Sequence, residues 1–233
     1  MDERAKQIDQ LITKWYKTFG IDHVFYNFDY TTEPVEKQEK PVITKKVDNH
    51  LNFLTIDELK NAVLNIDCNL KKSARNTVFS DGNPKSDIMI IGEAPGQDED
   101  EQGKPFVGQS GQLLNNMLLS VGLKRSDVYI SNIVFWRPPG NRAPSSDEIS
   151  LCMPYVENHI TLVQPKVLLL LGGVSVKSIL NTNEPISKLR GQKNSYLGIE
   201  TIATFHPAYL LRSPGQKAAA FKDFILLSKT INK

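Results

Sequence analysis

The sequence predicts an α/β protein: a three-layer α/β/α arrangement around a central, mainly parallel four-stranded sheet, with an N-terminal helical extension. Three observations carry this. From about residue 74, short apolar runs alternate with segments of helical period, the pattern of parallel strands joined by crossover helices. Each of the four runs is closely followed by glycine or proline, so the strands end together at one edge. The 233 residues are 40% apolar, enough for a sizeable core, and contain no internal repeat or low-complexity tract.

In chain order, residues 3–20 place Leu11, Ile12, Trp15 and Phe19 on one helical face that stops at Gly20. Residues 31–49 are polar and charged, with Pro34 and Pro41 and no period, which reads as a linker or exposed loop. Thr55 with Glu58 is a capping-box signal, and Leu59, Val63 and Ile66 line the helix behind it. Asp87 to Ile91 is the first strand, ending in Gly92-Glu93-Ala94-Pro95-Gly96. A helix follows from Gly111 to Val121 through Leu113, Leu114, Met117 and Leu118, then a second strand from Val128 to Val134. Ser145 and Glu148 cap a helix through Ile149, Met153, Val156 and Ile160. Val167 to Leu171 is the third strand, with Gly172-Gly173 and a helix to Leu180 behind it. Gly198 to Phe205 is the fourth, broken by Pro207, and a last helix runs from about Gly215 to Thr230. This divides the chain into an N-terminal helix and charged linker, 1–65, and an α/β/α domain, 66–233.

The formal net charge of +2 is too near neutral to name a partner, but it is unevenly spread. Residues 1–67 hold 9 basic and 12 acidic residues, residues 68–233 hold 19 and 14, and from Ile186 onward the ratio is 8 to 2. A polyanion would sit on the C-terminal part. Cys68 and Cys152 are the two cysteines, with no C-x-x-C pair, so a zinc ribbon or a thioredoxin-type site is excluded. The first ten residues lack a secretory apolar region, and the longest apolar run, Val167 to Leu171, falls far short of the roughly 20 residues of a membrane helix. The expectation is a soluble protein of a reducing compartment, the cytoplasm of a bacterial-type cell.

The informative side chains are those that follow the strands: Glu93, Asn132 with the Trp136-Arg137-Pro138-Pro139-Gly140 turn, Gly172-Gly173, and His206-Pro207. Gly92-x-x-x-Gly96 lacks the Gly-Lys-Ser/Thr of a P-loop, Gly172-Gly173 is not a dinucleotide fingerprint, and Gly108-Gln109-Ser110-Gly111 misses the spacing of a nucleophile elbow. Taken singly, each feature has an ordinary structural reading: a tight turn, a core aromatic, a solvated acidic run at Asp98 to Glu101.

Together they resemble family 4 uracil-DNA glycosylases. The resemblance rests on Gly92 to Asp100, Gly103 to Gly108 and Ser110 to Leu114, then Asn132-Ile133-Val134 running into Arg137 to Arg142, and His206 to Arg212. It covers roughly residues 66 to 230 and implies a DNA repair hydrolase that flips uracil out of DNA and cleaves its N-glycosidic bond, the first step of base excision repair. By the same resemblance Asn132 reads the N3/O4 edge of uracil, Phe106 stacks on the ring, and His206 bonds the departing O2. Ala94 and Glu99 belong to the pocket, Glu99 holding its loop. Glu93 is catalytic with His206, either positioning the water or favouring the positive sugar. Leu210, Leu211 and Arg212 form a DNA-binding segment, with an apolar wedge and a phosphate contact.

The family typically carries a [4Fe-4S] cluster on four cysteines. Here Cys68 matches the first and Cys152 the fourth, while Lys71 and Trp136 occupy the other two positions. The expectation is therefore no metal and no cofactor, with Trp136 packed in the cluster's place. The loop from Lys188 to Gln192 has no histidine, so a covalent DNA adduct of the kind formed by a crosslinking branch of the superfamily is not expected. The expected partner is uracil-containing DNA, bound by a monomer away from any membrane. The alternative reading is a non-catalytic damaged-DNA-binding module of the same fold.

Overall fold

Residues 51–231 are described in the computed structural model of the chain. The helix expected over residues 3–20 and the charged stretch 31–49 lie outside them. The sheet contains β1 (Asp81–Gly82), β2 (Ile88–Gly92), β3 (Tyr129–Asn132), β4 (Val167–Leu171), β5 (Lys193–Tyr196) and β6 (Ile199–Thr204), in the order β1-β3-β2-β4-β6-β5. The inner four are parallel, as expected, and β1 and β5 add antiparallel edges. Every residue of β2, β3 and β4 is buried, which is why β2 and β4 read as continuous apolar runs, while β3 buries two polar residues, Ser131 and Asn132.

The helices are α1 (Ile56–Leu64), α2 (Asn69–Ser73), α3 (Gln97–Gln102), α4 (Gln109–Leu119), α5 (Ser146–Val163), α6 (Gly173–Leu180), α7 (Ile186–Leu189), α8 (Pro207–Arg212) and α9 (Lys217–Ile231). One of the two expected capping boxes forms in full: the Glu148 amide donates to Ser145 Oγ at 3.2 Å while the Ser145 amide donates to Glu148 Oε2 at 2.7 Å. At the other, the Glu58 amide donates to Thr55 Oγ1 at 3.1 Å, but the Glu58 carboxylate accepts the Leu54 amide at 2.8 Å in place of the Thr55 amide. The acidic run Asp98 to Glu101 is helical rather than a turn: α3 is capped by Gly96, and Asp98, Glu99 and Asp100 lie in its first turn, at the positive helix end.

On one side of the sheet, Met89, Ile91, Leu168 and Leu170 join a core cluster with residues of α1, α5 and α6. The alternating residues Ile88, Ile90 and Leu169 are also buried, as are the apolar faces of α4 and α9, and α9 packs on β4 and β6. Leu59 and Val63 of α1 have no exposed surface and belong to the first cluster. α1 packs against α5, and its two apolar residues extend the core ahead of residue 66.

Candidate active site at the carboxyl edge of the sheet

Parallel pairing brings the ends of the inner strands together. Gly92 is paired with Asn132 and Leu171 with Thr204, so Glu93, Asn132, Gly172 and His206 emerge at one edge. They line a cleft of about 890 Å³ that also takes in Ala94, Glu99, Phe106 and Arg212. Of the nine residues assigned to the site from sequence, seven meet here; Leu210 and Leu211 do not line the cleft.

The floor is built by close approach. A Cβ on Gly92 would lie 2.4 Å from Asn132 Oδ1 and 2.6 Å from Phe106 Cζ, so only glycine lets these side chains cross the end of β2. Asn132 is 1% exposed, and its Oδ1 is buried with no hydrogen-bond partner among the described residues. A buried acceptor left unpaired is costly, of order 1–3 kcal/mol, so an acceptor that faces a cleft suits a donor on a bound molecule.

Glu99, at the third position of α3, uses both oxygens on backbone. Oε1 accepts the Val107 and Gly108 amides at 2.9 and 3.0 Å, and Oε2 accepts the Gly96 amide at 3.1 Å. It fastens the loop that carries Phe106, whose φ of 52° is in the left-handed region. The Phe106 ring is buried, 5.6 Å between centroids from the His206 ring and tilted by 33°.

His206 is the N-cap of α8, and its Nδ1 accepts the Ala208 amide at 3.1 Å. The neutral ring then carries its proton on Nε2. Burial, helped by the nearby Arg212 charge and opposed by Glu99, lowers the pKa of His206 to about 4, so the ring is neutral near pH 7. Burial raises the pKa of Glu93 above the usual carboxylate value. A neutral donor and a desolvated carboxylate share one cleft, a common arrangement in acid–base and anion-stabilising chemistry.

At the mouth, Leu210 is fully buried, which corrects its assignment to a DNA-facing surface: in α8 it turns inward while Leu211 is 40% exposed. Arg142, an exposed lining residue, donates to both Glu148 oxygens at 2.8 and 2.6 Å, joining the cleft wall to the cap of α5. The sequence held both residues, one in the Arg-Pro-Pro-Gly-Asn-Arg run and one in a capping box, with nothing to link them.

The family model described as the uracil DNA glycosylase superfamily matches residues 79–227. The chain belongs to that superfamily. It is 36% identical over 182 residues to the Type-4 uracil-DNA glycosylase of Pyrobaculum aerophilum, covering 74% of this chain and 93% of the relative. Against the Type-4 uracil-DNA glycosylase of Saccharolobus solfataricus it is 40% identical over 166 residues, 67% of this chain and 77% of the relative. A DNA polymerase of Bacillus phage SP01 is 30% identical over 163 residues, 70% of this chain but 18% of the polymerase.

Membership corrects the expectation of no cofactor. The relatives are Type-4 glycosylases, the family that carries a [4Fe-4S] cluster, so absence of the group does not follow from two replaced positions. The described residues themselves do not make the four-thiolate set. Cys152 is buried, Cys68 accepts the Lys71 amide at 3.4 Å, and no group of three or more metal-ligating side chains occurs among the described residues. Lys71 Nζ donates to the Leu64 carbonyl at 2.5 Å, and the buried Trp136 donates to Thr77 Oγ1 at 2.9 Å. The ligand set therefore does not fit as it stands, and no chemistry below runs through a cluster.

Proposed function

We propose that this member of the superfamily is a uracil-DNA glycosylase acting in base excision repair. The observation that carries the reading is the buried Asn132 Oδ1, without a partner among the described residues, in the same cleft as a His206 whose ring proton is on Nε2. Uracil offers an N3–H to that oxygen and an O4 to the amide Nδ2, whereas cytosine presents an amino group where O4 should be. Phe106 covers the face of the flipped ring. Water adds to C1′ as the N1–C1′ bond breaks and the electron pair leaves with the base. The neutral Nε2–H of His206 bonds O2 as charge grows there, a contribution of about 2–4 kcal/mol by comparison with other anion-stabilising donors. Glu93, made more basic by burial, orients the water and takes up its proton.

Leu211 fills the gap left in the stack, and Arg212 meets a phosphate beside it, in the part of the chain with the largest basic excess. No helix among the described residues is long and apolar enough to cross a membrane. In this reading the enzyme is a cytoplasmic monomer on DNA, and sedimentation with and without oligonucleotide checks the stoichiometry.

The test is an oligonucleotide with one uracil, incubated with excess enzyme and then treated with alkali. A break at uracil, and none at thymine or cytosine in matched strands, is the expected result. Binding without a break would make the chain a damage-recognition module and sink the enzymatic reading.

A further inference from the structure

Arg125 stands in the single 3₁₀ turn between α4 and β3, outside every motif that carries the family resemblance. It does not line the cleft, yet its guanidinium reaches the cleft's stacking residue through the backbone. Nη1 donates to the Phe106 carbonyl at 2.9 Å and Nη2 to the Pro105 carbonyl at 2.6 Å. Nε donates to Asp81 Oδ2 at 2.8 Å, on edge strand β1, and Nη1 also reaches Asn115 Oδ1 of α4 at 3.3 Å. One planar fork therefore ties a strand and a helix to two successive carbonyls of the loop.

That loop needs holding. Phe106 has a φ of 52°, a conformation a bulky residue keeps only when its surroundings impose it. Gly111 shows how tight the fit is: a Cβ there would lie 1.9 Å from the Phe106 carbonyl oxygen. Glu99 grips the amides of Val107 and Gly108 from one side. Arg125 grips the carbonyls of Pro105 and Phe106 from the other. Asp81 aims the fork and neutralises it, with both side chains about a quarter exposed or less.

We infer that Arg125, aimed by Asp81, is a positioning residue for uracil: it fixes the backbone that sets the Phe106 ring against the flipped base. The inference rests on the glycosylase reading above. A lysine cannot replace it, because a single ammonium does not present a fork to carbonyls and carboxylate together.

The test is a double-mutant cycle of Arg125→Gln and Phe106→Ala, read as the single-turnover rate of uracil excision at saturating enzyme. Arg125→Gln should slow excision about 10- to 100-fold, the scale of loss expected when a reacting group is misplaced by an ångström or less. Arg125→Lys should not rescue it. In the Phe106→Ala background the same change should cost less than about twofold, because the group it positions has gone. An equal loss in both backgrounds, or no loss in either, overturns the inference. Hydrogen exchange supplies a readout independent of activity: the Val107 and Gly108 amides should exchange faster in Arg125→Gln while those of β2 and β4 do not change, and unchanged loop exchange also overturns it. Should Arg125→Gln not fold, Asn115→Ala runs the same cycle with a smaller loss, about threefold. A parent protein that leaves uracil uncut defeats the glycosylase reading alone, and loop exchange still decides the clamp.

Discussion

The His206 Nδ1 accepts the Ala208 amide, so the proton used in catalysis is the one on Nε2, and charging the ring would have to put a second proton on Nδ1 and break that bond. With a pKa of about 4, the ring stays neutral down to about pH 5, and excision should show no step near the ordinary imidazole value of 6.5. A clear step there in the single-turnover rate would mean that an exposed, titrating ring is involved. Replacing the donor, His206→Ala, should slow the same rate by about 10²- to 10³-fold with much less effect on DNA affinity. A destabilised but fully active variant would reduce His206 to a cap of α8. Arg212 acts on binding instead. Arg212→Ala should weaken DNA affinity and reduce the log–log salt slope by about one, the signature of one lost phosphate contact; equal slopes would place the side chain away from the backbone. These residues were legible because each directly follows a strand or sits in a family motif. Arg125 was not, because the loop groups it holds are carbonyls 19 and 20 positions away, which leave no trace in side-chain pattern, and its side-chain partners Asp81 and Asn115 are 44 and 10 positions away.

Elements with strong apolar period were readable, and those made by turn chemistry or by proline were not. β5 is polar, and it joins β6 through Leu197 and Gly198 at φ values of 50° and 81°, where a leucine hides the two-residue hairpin that Asn-Gly would announce. β1 is two residues long and has no period to detect. α8 begins at Pro207, which reads as a strand break but also suits the first position of a helix. Elements also carry the cleft's tolerances. Because α4 starts against the Phe106 carbonyl, Gly111→Ala must push either the helix or the loop aside. It should lower the melting temperature and slow excision together, and a variant matching the parent in both would show that the contact yields without consequence.

For the whole molecule, stability depends on pH through histidines that the fold keeps uncharged. His159 lies fully buried in α5, stacked on Phe79 at 4.5 Å, with Nε2 2.8 Å from the Tyr129 hydroxyl; burial lowers its pKa to about 3. Between about pH 6.5 and 3 the unfolded chain takes a proton there that the folded chain refuses. The contribution is therefore whole above pH 6.5 and drains away as pH falls. His159→Gln should be destabilised at pH 7, and the penalty should shrink by about 2 kcal/mol at pH 5, where only the parent is losing ground. An equal penalty at both values, measured by chemical denaturation, would leave the imidazole titrating normally. Asn132 bears on the same quantity from the opposite direction. Its oxygen, buried without a partner among the described residues, costs the fold stability, so recognition and robustness pull against each other at one atom. Asn132→Leu, of similar shape and without the acceptor, should melt a few degrees higher than the parent while losing uracil excision. The parent, but not the variant, should recover the difference when free uracil is added.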